Sequence, residues 1–364
     1  MNILLQMNKT PRIGGFRCIA ILFFAIFFSL CSCTERNEYM VITGYAQGGT
    51  YTVKFNHAGV RVPPEEIRDS IDAILSRIDK SLSGYNKGSV LSRLNAGERV
   101  APDPLFLDMY EKSYAVFEAT GGAVDVTGAP LFDAWGFGFS NDTLPSESQV
   151  EAARNRTGMD KLHKNIRSLI SDDGTLASVD LVIASEGFLP KLNFNAVAQG
   201  YSCDVVADYL YSIGVKDMLV DIGEFFCDGL NPSGKPWSIG IDRPVDGNNQ
   251  AGADMHGVFK APEGPHGIVT SGNYRKFYVS DGKKYAHTID PRTGYPVSHS
   301  LLCATVVAED AMTADAYATY CMVVGLEASK AFLEEKDGFE GCLIYDEDGV
   351  MKTWCSSGFV LEEL

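Results

Sequence analysis

The chain has 364 residues, and its 31 Lys and Arg against 47 Asp and Glu leave a formal net charge of −16 at pH 7. That balance excludes an electrostatic hold on nucleic acid or on anionic lipid, both of which require cations. An anionic ligand would need a metal ion or backbone N–H groups to neutralise it.

At the start, Lys9, Arg12 and Arg17 form a basic segment with no acid among them. The apolar run Ile19 to Leu30 suits the core of a signal peptide and is short for a membrane span. Leu30-Cys31-Ser32-Cys33 reads as a lipobox with Cys33 acylated, an ordinary signal peptide with incidental cysteines being the alternative. The expected organisation is a signal peptide over 1–32, a lipidated tether over 33–44 and a folded domain over 45–364. This places the protein outside the cytoplasm, lipid-anchored and facing the periplasm, on the inner membrane in preference to the outer. Loss of the three cations takes the charge from −16 to about −19. About 330 residues remain, enough for one large domain or two lobes. Six cysteines lie beyond Cys33 (203, 227, 303, 321, 342 and 355) without a CxxC or CxxH spacing, so neither zinc nor a redox pair is indicated. Disulfides are compatible with export, but the sequence does not pair them.

Ala46–Phe55 alternates like a strand. Pro63-Pro64 opens a helix with Ile67, Ile71, Ile74 and Ile78 on one face. Ser81–Asn95 is polar, turn-rich and unlike core. A second helix, Pro104–Thr120, buries Leu105, Met109, Val116 and Phe117 and stops at Gly121-Gly122. Gly121–Gly138 reads as loop despite Phe132, Trp135 and Phe137, and Ser140–Lys164 is charged and rich in helix breakers. Strands are expected around Leu169 and Leu181. Asn195–Gly200 leads into a helix ending near Gly214, followed by strands at Met218–Ile222 and Trp237–Asp242 and a glycine-rich loop over Gly247–Gly264. The last quarter gives strands at Gly267–Ser271, Arg275–Ser280 and Leu302–Ala308, then two helices and a closing hairpin. Interspersed helices and hairpins without a regular βαβ rhythm predict an α+β fold.

Two C-terminal stretches carry the chemistry. In Thr313–Thr319, Asp315 and Thr319 are four apart, so a helix puts carboxylate and hydroxyl on one face, within reach of one hard cation of the Mg²⁺ type. A structural Asp and Thr one turn apart is the plain alternative, but the apolar neighbours of Asp315 predict burial, and buried charge wants a partner. His287, ahead of the rigid turn Asp290-Pro291-Arg292-Thr293-Gly294, offers an imidazole suited to accept a proton. Asp125, in Gly121-Gly122-Ala123-Val124-Asp125, accepts from a base-like ring edge or caps a turn. Tyr85, in Ser83-Gly84-Tyr85, stacks on a planar ring or packs at the surface. Thr270-Ser271-Gly272 suits backbone contact with a ligand.

Read together, AQGGTYTV, IDKSLSGYNKGSVLSRLN, GGAVDVTGAPLFDAWGFG, NAVAQGYSCDVVADYL, TSGNYRKFY, HTIDPRTGYPV and TADAYATYCMVVG resemble the ApbE family of FAD:protein FMN transferases, from about Tyr45 to Leu364. The resemblance implies a single two-lobed, T-fold-like α+β domain with mixed or antiparallel sheets and flanking helices. It implies Mg²⁺-dependent transfer of FMN from FAD to a Thr or Ser of a target protein, typically a subunit of a membrane redox complex, with release of AMP. By position it implies Mg²⁺ on Asp315, Thr319 and the carbonyl of Ala196. FAD would meet Gln47, Ser83, Gly84, Tyr85, Asp125, Gln199 and Ile289, with His287 as base. The chain departs from the family pattern at Gln47, at Gln199 and at Gly223-Glu224, where a glycine pair is shortened. These departures leave open a Mg²⁺-dependent FAD pyrophosphatase giving FMN and AMP, or a flavin-binding lipoprotein without catalysis.

Overall fold

The structure, a computed structural model, describes residues 38–98, 100–137, 144–162, 191–248, 250–274, 277–280 and 283–364. The signal segment, Cys33 and the strands expected around Leu169 and Leu181 lie outside them. Two strands open the fold, β1 (Tyr39–Ala46) and β2 (Gly49–Asn56), paired antiparallel through the Gln47-Gly48 turn. Both turn residues have positive φ, 52° and 81°, as a two-residue hairpin of matching twist requires. The tether expected over 33–44 is thus too long, since from Tyr39 onward the chain is already strand. Only Ile42 of β1 is buried, with Val41 and Tyr45 exposed, so the apolar alternation that would have marked this edge strand is missing.

The helices follow as α1 (Pro64–Leu82), α2 (Val90–Asn95), α3 (Pro104–Ala119), α4 (Ala129–Ala134), α5 (Glu147–Arg154) and α6 (Ala198–Ser212). In α1 the four isoleucines are buried as their spacing predicts, behind a proline first turn carrying Glu65 and Glu66. Within Ser81–Asn95, Ser89 accepts from the N–H of Ser92 at 2.9 Å and starts α2, which buries Leu91 and Leu94. That polar stretch therefore does contribute core. Asp103 caps α3, where Phe106 rather than Leu105 is fully buried.

Strands β3 (Met218–Asp221), β4 (Phe225–Asp228), β5 (Ser238–Asp242), β6 (Met255–Lys260) and β7 (His266–Gly272) come next, then β8 (Phe277–Ser280), β9 (Lys283–Ala286), β10 (Ile289–Asp290), β11 (Tyr295–Pro296) and β12 (Leu301–Ala308). Helices α7 (Ala311–Val324) and α8 (Leu326–Glu335) precede β13 (Glu340–Glu347), β14 (Val350–Cys355) and β15 (Leu361–Glu363). The main sheet runs β1-β2-β3-β4-β7-β12-β13-β14, and a smaller one β15-β6-β5; every pairing among the described strands is antiparallel. The α+β expectation holds.

Alternation along the central strands splits the core in two. Val220, Val269, Ala304, Val306 and Leu343 pack with helical Ile67, Ile71, Val206 and Met312, while Leu219, Ile268, Cys303 and Ile344 pack with Ile239, Ile241 and Phe259 of the small sheet. The main sheet is covered by helices on one face and by the small sheet on the other. Strand β12 is consequently buried along nearly its whole length and reads as one apolar run.

Candidate active site

Helix α7 is set by two carboxylates. Asp310 caps it, accepting from the N–H of Thr313 at 2.7 Å, and Asp204 of α6 accepts from the N–H groups of Ala311 and Met312, each at 2.8 Å. Three of the orphan donors of the first turn are thereby satisfied. Burial is the main cause that pushes the Asp204 carboxyl up to about 7, against the two N–H bonds that lower it. Gly200 lets the two helices meet: a Cβ there would stand 2.2 Å from the carbonyl oxygen of Ala311.

One turn into α7, Asp315 is 5% exposed. Its Oδ2 accepts from the N–H of Gly200 at 3.1 Å, an orphan donor in the first turn of α6. Desolvation raises its carboxyl to about 7, and the Gly200 bond only partly opposes it. Among the described residues no cation pairs with it, and no three His, Cys, Asp or Glu side chains cluster.

Asp315, Thr319 and Ala196 line one cleft of about 270 Å³, together with His287, Asp125, Gln199 and Ile289. The structure therefore gathers these seven residues singled out from sequence, and Thr270, Ser271 and Gly272 line the same cleft. His287 is half-buried after β9, its ring edge-on to Phe137 at 6.5 Å. The backbone after it is fixed: Thr288 donates its hydroxyl to Asn273 Oδ1 at 2.7 Å, and its carbonyl accepts from Val297 at 3.0 Å. Asp290 holds Arg292 through two 2.9 Å side-chain bonds. The carbonyl of Gly294 accepts from the Trp135 indole at 2.8 Å, and its φ of +84° with Val150 close by requires glycine. Helices α4 and α5, which the sequence did not announce, thus clamp the turn after β10, the strand that follows His287.

Asp125 spends an oxygen on Thr127, accepting from its N–H at 2.8 Å and its hydroxyl at 2.6 Å, while burial raises its carboxyl above the usual range. Asp125 thus caps its own turn and also borders the cleft. Gln199 donates to the carbonyl of Ile222 at 3.2 Å and lies over Gly223, where a Cβ would meet its Nε2 at 2.3 Å.

Gln47, Ser83, Gly84 and Tyr85 do not line the cleft. Gln47 is turned into the β1–β2 corner and donates to the hydroxyl of Ser202, bracing α6. Ser83 uses its hydroxyl to accept from the N–H groups of Tyr85 and Asn86, and its carbonyl and that of Gly84 accept from Ser92, so the turn is held by its own bonds. Tyr85 is 66% exposed. Spacing cannot distinguish a turn that faces a cleft from one that faces solvent.

Glu224 also lines the cleft, with Oε2 accepting from the N–H of Thr270 at 3.4 Å. The sequence marked it only as a shortened glycine pair; an acid in a tight turn between two buried strands was the available signal. A neighbouring cleft of about 380 Å³ shares Asp125 and Pro291 and is edged by Arg154, Lys161 and Arg292. These cations hold loops: Arg292 pairs with Asp290, and Lys161 donates to the carbonyl of Thr157 at 2.7 Å.

The donor set suits Mg²⁺: one buried carboxylate at the N-terminus of a helix, a hydroxyl one turn on and a peptide unit, all oxygen chemistry. A raised carboxyl without a cationic partner is what a cation would relieve.

The model of the ApbE family matches residues 47–343. The FAD:protein FMN transferase of Vibrio cholerae serotype O1 is 32% identical over 339 residues, covering 91% of this chain and 94% of its own length. That of Escherichia coli K12 is 32% identical over 362 residues, covering 95% and 97%. Among solved structures, the flavin transferase ApbE from Vibrio cholerae superposes with a TM-score of 0.70 at 31% identity, over 88% of this chain and 97% of that one. The apo flavinyl transferase ApbE of Pseudomonas stutzeri gives 0.72 at 30% identity, over 88% and 95%.

Proposed function

This chain belongs to the ApbE family, and from that membership we propose that it is a Mg²⁺-dependent FAD:protein FMN transferase. It joins FMN through its phosphate to a Thr or Ser hydroxyl of a target redox protein and releases AMP. The observation that carries the reading is the meeting of Asp315, Thr319 and Ala196 with His287 in one cleft.

Asp315 and Thr319, with the carbonyl of Ala196, would hold Mg²⁺. When bound, the ion supplies positive charge that offsets the pyrophosphate and the leaving AMP. Asp315 contributes the anion, kept in place by Gly200. His287 takes the proton of the acceptor hydroxyl. The hydroxyl oxygen forms a bond to the phosphorus on the FMN side, the bond from that phosphorus to the bridging oxygen breaks, and AMP departs. Asp125, Gln199 and Ile289 border the flavin nucleotide. Gln47 acts at one remove, through α6.

The basic and apolar N-terminus ending at Cys33 supports export and lipid anchoring at a membrane facing the periplasm. The acceptors are then exported subunits of membrane redox complexes.

Incubation with FAD, Mg²⁺ and a flavin-acceptor domain tests the reading. Flavin that stays on the acceptor after denaturation, lost without Mg²⁺, is the expected result. Free FMN and AMP without adduct would reassign the chain as a pyrophosphatase, and unchanged FAD would leave it a binding protein.

A further inference from the structure

Strands β13 and β14 place two cysteines opposite one another, Cys342 and Cys355. The N–H of Ser356 donates to the carbonyl of Gly341 at 2.9 Å, so Gly341 and Ser356 form a hydrogen-bonded pair. The next pair along, Cys342 and Cys355, is therefore of the non-hydrogen-bonded kind, whose Cα atoms lie roughly 4.5 Å apart with side chains on one face. Disulfides span Cα separations of about 4.4–6.8 Å. Both side chains pack into the same apolar cluster, between the main sheet and the small one.

A third thiol, Cys303 of β12, belongs to that cluster but sits opposite Ile344, while the partner of Cys342 on β12 is Thr305. It is a diagonal neighbour of Cys342, at roughly 7–8 Å, beyond the usual reach of a bridge. Cys227 of β4 is in the same cluster but stands three strands from β13, and Cys203 and Cys321 are buried on α6 and α7.

We propose that Cys342 and Cys355 are a disulfide site, a covalent staple across the edge hairpin of the main sheet. Both are thiols in this structure. The oxidant is a small or protein disulfide, the class that compartments outside the cytoplasm supply. Cys355, the more accessible of the two, attacks one sulfur of that disulfide as thiolate and releases a thiol, forming a mixed disulfide. Cys342 then attacks Cys355 sulfur and releases the second thiol. Two protons and two electrons leave the pair and reduce the partner. The thiol of Cys342 donates a hydrogen bond to Cys355, which lowers the Cys355 thiol and raises that of Cys342, consistent with this order of attack. Nothing in the proposal depends on the flavin reading.

The test uses the full folded chain exposed to oxidised glutathione, with free thiols then alkylated and the protein digested with trypsin without reduction. Cleavage after Lys352 separates the two cysteines, so the staple joins peptides 337–352 and 353–364. The expected result is that linked pair, about 2 Da lighter than its separate thiol peptides, formed equally in C303S and absent in C342S. Oxidation should also raise Tm by roughly 5 °C. A glutathione adduct that stays on Cys355 without closing, or a linkage that includes Cys303, would overturn the proposal.

Discussion

Asp315 concentrates the chemistry of the site in one titration. Its carboxyl stands at about 7 in the folded protein against an ordinary 3.8, because burial disfavours the charge. A raised acid contributes stability that is complete below the unfolded value and is lost as pH rises through the folded one. Metal-free protein should therefore weaken between about pH 4 and 7. Asp204 adds to this in the same direction, so the difference from D315N isolates residue 315. Asparagine can still accept from Gly200 but carries no charge, and D315N should lose less stability over that range. Mg²⁺ competes with the proton. Its stabilisation of the wild type, read as a Tm shift, should be larger at pH 8 than at pH 6 and vanish in D315N. Equal shifts in both proteins would remove Asp315 from the metal site. For His287, replacement by alanine should slow transfer by about 10²–10⁴-fold while leaving FAD binding near its wild-type level by fluorescence titration. A transfer rate close to wild type would end its role as base.

At the scale of elements, the site is a meeting of two helix starts. Helix α6 presents Gln199 and Gly200, with Ala196 just ahead of its cap, and α7 presents Asp315 and Thr319; the distance between the helices is set by the missing side chain at Gly200. G200A should force the helices apart, costing about 1–3 kcal/mol in urea unfolding and weakening the Mg²⁺ response. G84A is the matched control, since a Cβ at Gly84 meets nothing within 4 Å. A G200A protein as stable and metal-responsive as G84A would contradict this packing. How far the elements could be read beforehand follows the same division. The isoleucine face of α1, the buried run of β12 and the four-residue spacing of Asp315 and Thr319 are local patterns, and local patterns survive in a sequence. Helix α2 depends on the Ser89 cap, and α4 and α5 on packing against the loop after β10, so their polar or breaker-rich residues misled. Strand β6 hid inside a glycine-rich loop because the residue buried at 256 is a histidine and one of its two pairing partners, Leu361–Glu363, lies a hundred residues away. Glu224 sits in the local β3–β4 turn, but its place in the cleft comes from the pairing of β4 with β7, some forty residues on.

For the molecule as a whole, the acidic charge and the anionic substrate set the problem that the cleft resolves. The chain carries no net positive field to draw in a pyrophosphate. It brings residues as distant as Asp125 and Thr319 to a single cleft, where on the proposed reading one oxygen-ligated cation would offset the pyrophosphate. The covered faces of the eight-stranded sheet supply the rigidity, so the site should be complete before substrate arrives. The most direct measurement is a crystal structure of the chain with FAD and Mg²⁺. The expected result is an ion at about 2.0–2.1 Å from Asp315 and Ala196 oxygens, pyrophosphate against it, and the FMN phosphorus open to the imidazole of His287. FAD seated elsewhere, or an ion bound to it without contact to Asp315, would contradict the account.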